Sequence, residues 1–209
     1  MSRHTPAGAC QAALDSPVRN FCVVDSGVLW RGEGPSAADA EWLVDNGVQS
    51  VLSIQLDPRR TFERAKVSPN LVRSVTYFHV EGANPFQILS RSRLDRLVAL
   101  FIAVMEIAPK PLYVHCRAGI DRAGILVASY RILTGRISKE QAVQEMARFH
   151  TPWIPLERHY LLGLTEARQR LIWRDAESWK AQLKPLGHFD CRQGRCRYVA
   201  NPGATVMRP

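Results

Sequence analysis

The chain has 209 residues, a formal net charge of +9 and an isoelectric point near 9.8. Its content of 46% hydrophobic and 22% charged residues excludes disordered, collagen-like and coiled-coil chains and predicts one independently folding domain. The excess of basic residues favours anionic partners, which include phosphorylated molecules, nucleic acid and acidic membrane surfaces.

The cysteines are odd in number and scattered along a chain that is long enough to fold without cross-links. They are Cys10, Cys22, Cys116, Cys191 and Cys196. We therefore expect no disulfide framework and a reducing compartment. The first 25 residues lack the apolar segment of a signal peptide, and no window approaches 18 uninterrupted apolar residues. A cytoplasmic protein without a membrane span is the prediction.

The first part of the chain alternates apolar, β-branched segments with amphipathic ones, which predicts strands that alternate with helices. Residues 1–27 are small, polar and interrupted by proline, so we expect an N-terminal arm there. The predicted elements that follow are a strand at 28–31, a helix at 36–46, a strand at 48–56, a charged loop or short helix at 57–66, a strand at 71–80, a helix from about 92 to 107 and a strand at 112–115. Capping signals at Ser36 with Asp39, and at Ser92 with Asp95, mark the two helix starts.

The second part is predicted to be mainly helical. Helices are expected at 123–133, from 138 to about 149, and at 156–173, with a capping box at Ser138 and Gln141. Residues 176–209 lose this periodicity, and we expect a basic C-terminal tail or a loosely docked appendage there. The order of elements predicts an α/β fold with a central, mostly parallel sheet flanked by helices, and a helical C-terminal half.

A predicted strand that ends in His115 and Cys116 runs directly into a short loop and then into a helix. Six consecutive backbone N–H groups, from Arg117 to Arg122, can surround a tetrahedral dianion if the loop is tightly bent, and Gly119 provides a position without a Cβ. The N-terminus of the following helix points at the same place. This positive potential favours the thiolate of Cys116, and the planar Arg122 guanidinium can bind two phosphoryl oxygens together. The pattern predicts a phosphate cradle with a nucleophile at its base.

The segment HCRAGIDRAG, residues 115–124, resembles the signature of the cysteine-dependent tyrosine and dual-specificity phosphatases, in which His-Cys is followed by five residues and Arg. The segment LWRGEGPSAADAEWLVDNGVQSVLSIQ, residues 29–55, is similar to the opening of small bacterial and atypical plant and fungal members. HVEGANPF, residues 79–86, is similar to the loop before their long helix. The resemblance covers residues 28 to about 165, and it predicts a phosphatase domain at 28–175.

The resemblance implies that Cys116 attacks phosphorus, that a phosphocysteine forms, and that water releases phosphate in a second step. His115 would brace the loop by hydrogen bonds. The phosphate-binding residues would be Arg117, Ala118, Gly119, Ile120, Asp121 and Arg122. No metal or cofactor is expected; His188, Cys191 and Cys196 suggest zinc only weakly, because a fourth ligand is missing nearby.

Two departures from the family pattern concern catalysis. Ala123 stands where the family usually has Ser or Thr, which predicts slow hydrolysis of the intermediate. The Asp that normally acts as general acid about 30 residues before the cysteine is absent from residues 79–90, where Glu81 is the only carboxylate. Asp121, inside the loop, is the other candidate, although it also suits the role of a helix cap. We favour Asp121 narrowly.

The sequence leaves the substrate open. A phosphorylated protein is the first hypothesis, and a phosphoinositide or inositol phosphate is the second, supported by Arg117, by Asp121 and by the basic charge. A third hypothesis is a phosphate-binding module that has lost turnover, and a sulfur-transfer or arsenate-reducing protein is a fourth. No nucleic-acid partner is expected, and the oligomeric state cannot be inferred.

Overall fold

The computed structural model describes residues 15–81, 90–148 and 154–208, which form one seven-stranded sheet with helices on both faces. The strands are β1 (Cys22–Asp25), β2 (Leu29–Glu33), β3 (Ser50–Ile54), β4 (Arg73–Val80), β5 (Leu112–Cys116), β6 (Gly187–Arg192) and β7 (Arg195–Ala200). The helices are α1 (Ala37–Asp45), α2 (Arg59–Glu63), α3 (Arg91–Ile107), α4 (Asp121–Leu133), α5 (Lys139–Ala147), α6 (Ile154–Leu162) and α7 (Glu166–Lys180).

The strand order is β1-β2-β5-β3-β4-β6-β7. The four central strands, β2, β5, β3 and β4, run parallel, and each outer strand is added antiparallel. This confirms the predicted α/β fold with a mostly parallel sheet. Since the carboxyl ends of parallel strands meet at one edge, the loops that follow β3, β4 and β5 lie along the same edge.

Alternating side chains of the central strands divide the core into two layers. In β5, Leu112 and Val114 pack with α3, α4 and α7, whereas Tyr113 packs with α1 and α2 on the opposite face. The same alternation places Phe78 on the first face and Tyr77 on the second. Burial on both faces explains why these strands are apolar almost throughout. No helix within the described ranges is long and apolar enough to cross a membrane.

Two of the three predicted helix caps are confirmed. Ser36 with Asp39 and Ser138 with Gln141 form reciprocal capping boxes. The predicted cap at Ser92 and Asp95 is wrong, because α3 begins at Arg91. The Asp95 carboxylate instead accepts hydrogen bonds from the Tyr160 hydroxyl at 2.7 Å and from Arg168 Nη2 at 2.6 Å. These bonds tie α3 to α6 and α7.

The helix predicted at 156–173 is two helices. α6 ends at Leu162, and α7 begins at Glu166 after Thr165, whose hydroxyl accepts a hydrogen bond from the Arg168 N–H at 3.4 Å. A capping hydroxyl competes with helix continuation because it satisfies the backbone donors of a new first turn.

The sequence predicts a tail or a loosely docked appendage at 176–209. In the structure, β6 and β7 lie in this range and form a hairpin that extends the sheet. β6 pairs with β4 from Gly187 opposite Tyr77 to Cys191 opposite Arg73. The turn between the two strands has positive φ at Gln193 and Gly194, a backbone suited to two-residue hairpins. At the other edge, part of the predicted N-terminal arm forms β1, which pairs with β2.

Cys191 and Cys196 lie opposite each other in the hairpin and are joined by a disulfide. The expectation of no disulfide is therefore wrong for this pair. Both cysteines are buried beside Phe189, whose ring stacks on that of Phe62 with centroids 4.5 Å apart. The hairpin is thus part of the layer formed with α1 and α2.

Candidate active site

The loop of residues 117–120 joins β5 to α4 at the carboxyl edge of the parallel strands. This is the strand, loop and helix context that the sequence predicts. Cys116, the last residue of β5, carries a free thiol and is only 2% exposed. The sulfur therefore lies at the base of the loop and not on the surface.

Three successive carbonyls of the loop accept hydrogen bonds from the neighbouring chain. They are Arg117 O from the Gly34 N–H at 3.3 Å, Ala118 O from Asn20 Nδ2 at 2.9 Å, and Gly119 O from Arg31 Nη2 at 3.3 Å. A peptide N–H points opposite the carbonyl of the same peptide group, so the N–H groups of residues 118–120 face the other way. No described residue accepts a backbone hydrogen bond from them. Such a row of free N–H groups is suited to an anion.

Gly119 is required by this geometry. Its φ is +71°, and a Cβ built on it would lie 2.2 Å from the carbonyl carbon of Gly32 and 2.5 Å from the backbone nitrogen of Glu33. The loop thus lies directly on the backbone of β2. A larger residue would push the loop away from the strand that anchors its carbonyls.

Two guanidinium groups accompany the free N–H groups. Arg122 lies in the first turn of α4 and is 7% exposed. Burial lowers its pKa, while the charges of Cys116 and Asp121 act in the opposite direction. Arg117 is exposed and is close enough for its charge to lower the Arg122 pKa as well. Ala123, the next residue of α4, is fully buried.

His115 is buried and uncharged. Burial lowers its pKa to about 3, against an opposing contribution from the backbone of Cys116. That contribution is a hydrogen bond with the Cys116 backbone, and bracing of the loop by His115 stays a prediction. The ring also stacks on Tyr113, with centroids 5.7 Å apart. His115 therefore contributes shape to this strand and no positive charge to the sulfur.

The two candidate acids have different surroundings. Asp121 is the first residue of α4; its Oδ1 is buried and has no hydrogen-bond partner in the described structure. The cap position belongs to Ile120, which makes no side-chain cap, so Asp121 does not serve as the helix cap. Glu81 follows β4, is exposed, and forms an ion pair with Arg208 at 2.8 Å. The rest of the 79–90 segment, residues 82–89, lies outside the described residues.

Two buried charged residues near the loop were not predicted. Arg31 of β2 is 1% exposed, and its pKa is lowered to about 10, chiefly by burial, so it stays positive at neutral pH. Glu157 of α6 is also 1% exposed. The sequence contains a pattern that indicates the burial of each residue. Arg31 interrupts an apolar strand, and Glu157 shares the inner face of a helix with Tyr160 and Leu161.

The described residues contain no group of three or more His, Cys, Asp or Glu side chains arranged to hold a metal ion. The sulfurs of Cys191 and Cys196 are bonded to each other, which removes the weak zinc candidate of the sequence.

A protein-family model described as "DSP-PTPase phosphatase fused to NAD+ Kinase" matches residues 19–153. This range includes the whole loop with Cys116 and Arg122, together with β1 to β5. A search of curated proteins finds no match.

Solved structures with the same fold include phosphatases. P. aeruginosa TpbA is 22% identical over 79% of this chain and 96% of its own, with a TM-score of 0.59. A cysteine-to-serine variant of TpbA in complex with pTyr is 22% identical over 80% of this chain and 97% of its own, also with a TM-score of 0.59. The core catalytic domain of the PP-IP phosphatase SIW14 from S. cerevisiae, in complex with citrate, is 18% identical over 78% of this chain and 95% of its own, with a TM-score of 0.53.

Proposed function

Because this chain belongs to the DSP-PTPase phosphatase family, we propose that it hydrolyses phosphate monoesters with Cys116 as the nucleophile. The observation that carries the proposal is the loop itself: its carbonyls are anchored outward, its N–H groups are free, and a buried thiol lies at its base. Free N–H groups and a guanidinium stabilise the charge on the phosphoryl oxygens as the reaction proceeds.

In the first step the Cys116 thiolate attacks phosphorus, the bond from phosphorus to the leaving oxygen breaks, and an acid gives that oxygen a proton. In the second step water attacks the phosphocysteine, phosphate is released, and the thiolate is restored. Arg122 holds the equatorial oxygens through both steps, because its fork of N–H groups matches two oxygens at a time. Asp121 is the acid in this proposal, since it is the first residue of the helix that follows the loop, whereas Glu81 is exposed and forms an ion pair with Arg208.

The first substrate class is phosphotyrosine or phosphoserine/threonine in a protein. Cys116 is almost fully buried, so the phosphoryl group must reach the base of the loop at the end of a slender side chain. The TpbA variant of the same fold binds pTyr, which supports this class.

The second class is an inositol phosphate or a phosphoinositide. It is favoured by Arg117, an exposed guanidinium beside the Arg122 guanidinium, since two cations at one mouth suit a substrate with more than one phosphate. The SIW14 domain of this fold is a PP-IP phosphatase.

The test is phosphate release from a panel of phosphopeptides, phosphoinositides and inositol phosphates. We expect Cys116→Ser to abolish turnover while substrate binding is retained, and Arg122→Lys to be nearly inactive, because an ammonium cannot make the two-point contact. Retained turnover in Cys116→Ser contradicts the covalent mechanism. If the wild-type protein binds phosphate but releases none from an aryl phosphate, the protein is a phosphate-binding module that has lost turnover.

The substrate classes are separated by Arg117→Gln, which leaves the nucleophile and Arg122 in place. A loss of phosphate release confined to substrates with several phosphates supports the inositol class. An equal loss of phosphate release from phosphopeptides supports a protein substrate.

A further inference from the structure

One loop carbonyl is held by a side chain from a distant part of the sequence. Asn20, which precedes β1, donates a hydrogen bond from Nδ2 to Ala118 O at 2.9 Å. A carbonyl oxygen only accepts hydrogen bonds, so the Asn20 amide must present its nitrogen here. Because a peptide group is planar, this bond fixes the direction of the whole peptide group between Ala118 and Gly119.

The backbone that carries Asn20 is held against the end of β2. The flanking residues Val18 and Phe21 are 4% and 6% exposed, so both are part of the core. The Glu33 N–H donates to Arg19 O at 3.0 Å, and the Arg19 and Glu33 side chains form an ion pair at 2.6 Å. These contacts keep the Asn20 amide beside the loop.

Asn20 has a backbone conformation that few residue types adopt. Its φ is +54°, in the left-handed region, which Asn and Asp enter more readily than other non-glycine residues. A substitution that removes the amide must keep this conformation if its effect is to report the lost hydrogen bond alone. Gly and Asp meet this condition, whereas Ala would add backbone strain.

The peptide group that Asn20 holds is also the one that can turn most easily. Rotation of a peptide group changes ψ of the residue before it and φ of the residue after it. Gly119 is the only glycine at positions 117–120; its φ is +71°, and a glycine adopts negative φ about as readily. If this peptide group turned over, the Gly119 N–H would point toward Asn20 and away from the anion-binding side of the loop.

We infer that Asn20 is a positioning residue for the loop: by holding Ala118 O, it keeps the Gly119 N–H directed at the phosphoryl group. The inference rests on the proposed function and deepens it, because it assigns the orientation of one phosphate-binding N–H group to a side chain outside the loop. Donors that are already oriented stabilise the reacting phosphoryl group without a cost of reorganisation. Asn20 itself does not touch the substrate and acts through the peptide group alone.

The first test is the binding of inorganic phosphate to Cys116→Ser, which keeps the loop and lacks the nucleophile. Proton–nitrogen correlation NMR follows the loop amides as phosphate is added. The Gly119 amide proton should shift downfield, because it donates a charge-assisted hydrogen bond to the anion. When Asn20→Gly is added, this shift should be largely lost and the Kd for phosphate should rise about tenfold. The Ala118 and Ile120 amides should keep their shifts.

The second test is steady-state kinetics with Cys116 in place. Asn20→Asp keeps the shape and the backbone conformation of Asn, but its carboxylate cannot donate to Ala118 O. We expect Asn20→Gly and Asn20→Asp each to lower kcat/KM by about tenfold or more. The loss should be equal for alkyl phosphate and nitrophenyl phosphate, because the Gly119 N–H contacts the phosphoryl group and not the leaving group. The basic limb of the pH profile should stay as in wild type.

Asn46→Asp is the matched control for Asn20→Asp. Asn46 is also exposed, and its Nδ2 donates to Trp42 O at 2.8 Å at the end of α1. This position lies shortly before β3, at the edge of the sheet opposite the loop. A carboxylate at a helix C-terminus is unfavourable, so the control also loses some stability. It should leave phosphate affinity and kcat/KM as in wild type, and an equal loss in both variants overturns the inference.

Three results of the phosphate titration also overturn the inference. They are an unchanged Kd and Gly119 shift in Asn20→Gly, an equal loss of the shifts at all the loop amides, and no shift at Gly119 in Cys116→Ser. The proposed function is judged separately, by turnover of nitrophenyl phosphate that Cys116→Ser abolishes. A Gly119 shift that depends on Asn20 in a protein without turnover supports the positioning role and contradicts the phosphatase function.

Discussion

The loop of residues 117–120 has two sides with different construction. On the substrate side, defined here as Cys116, Arg117 and Arg122, the groups come from one short segment of the chain that contains the loop. On the buried side, defined here as Arg31, Gly32 and Glu157, the groups come from β2 and α6 and are covered by protein.

The difference separates chemistry from support. In the proposed function, the groups on the substrate side contact the phosphoryl group. Groups on the buried side hold the loop in place, as Arg31 does through its hydrogen bond to Gly119 O, or carry a buried carboxyl group that interacts with Asp121, as Glu157 does. Substitutions on the two sides should therefore change different observables, and each experiment below tests that division.

The largest expected effect belongs to Asp121, where the two sides meet. Asp121→Asn should slow alkyl phosphates by about 10² to 10⁴ and flatten the basic limb of the pH profile, because an amide cannot donate the required proton. Nitrophenyl phosphate should be slowed much less. The measurement is kcat and kcat/KM for both substrates between acidic and basic pH.

Glu81→Gln is the matched control for Asp121→Asn, since it makes the same chemical change at an exposed carboxylate paired with Arg208. It should leave both substrates and the basic limb as in wild type. If Glu81→Gln shows the loss and Asp121→Asn does not, the acid is Glu81 and the assignment to Asp121 is wrong. If neither shows it, the proton comes from outside both residues.

A smaller effect is expected at the contact between the loop and β2. In Gly119→Ala the new Cβ meets the Gly32 carbonyl carbon at 2.2 Å, so the loop must move. The positive φ and the overlap together should cost roughly 2 to 5 kcal/mol of unfolding free energy. A loop displaced by about 1 Å should reduce kcat/KM by about 10² for alkyl and nitrophenyl phosphates alike.

Gly135→Ala is the control for backbone strain alone. Gly135 has a similar φ of +67°, but nothing lies within 4 Å of the position of an added Cβ. It should cost about 1 to 2 kcal/mol in urea unfolding and leave kcat/KM unchanged. Equal activity losses in the two variants would show that general destabilisation, and not the seating of the loop on β2, lowers activity.

The substrate side could be predicted from the sequence because its residues are contiguous. Cys116 to Arg122 form a strand end, a loop and a helix start, and local geometry is sufficient to bring them together. The buried side could not be predicted in this way. Arg31 and Glu157 are separated by more than half of the chain, and only the pairing of β2 with β5 and the packing of α6 on α4 bring both near the loop.

The hairpin of β6 and β7 was missed for a different reason. Charged residues such as Arg195 and Arg197 dominate its composition and suggest a solvated tail. They occupy one face only, whereas Phe189 and Cys191 on the other face are buried. The period-two pattern on either side of Gln-Gly was the available signal, and a basic composition does not contradict a strand with one face exposed to solvent.

The smallest effect is expected one residue beyond the substrate side, at Ala123. Ala123→Ser adds a hydroxyl in the first turn of α4, the helix that follows the loop. If departure of the thiolate limits turnover, that hydroxyl should speed the second step by donating a hydrogen bond to the leaving sulfur. Steady-state kcat should then rise, and the burst of nitrophenolate that precedes steady state should shrink, because less phosphocysteine accumulates. A serine hydroxyl in a helix can instead donate to a nearby backbone carbonyl. In that case the burst and kcat stay as in wild type and the second step is not limited by the missing hydroxyl. Rapid-quench measurement of the burst, made beside steady-state turnover, separates these two results.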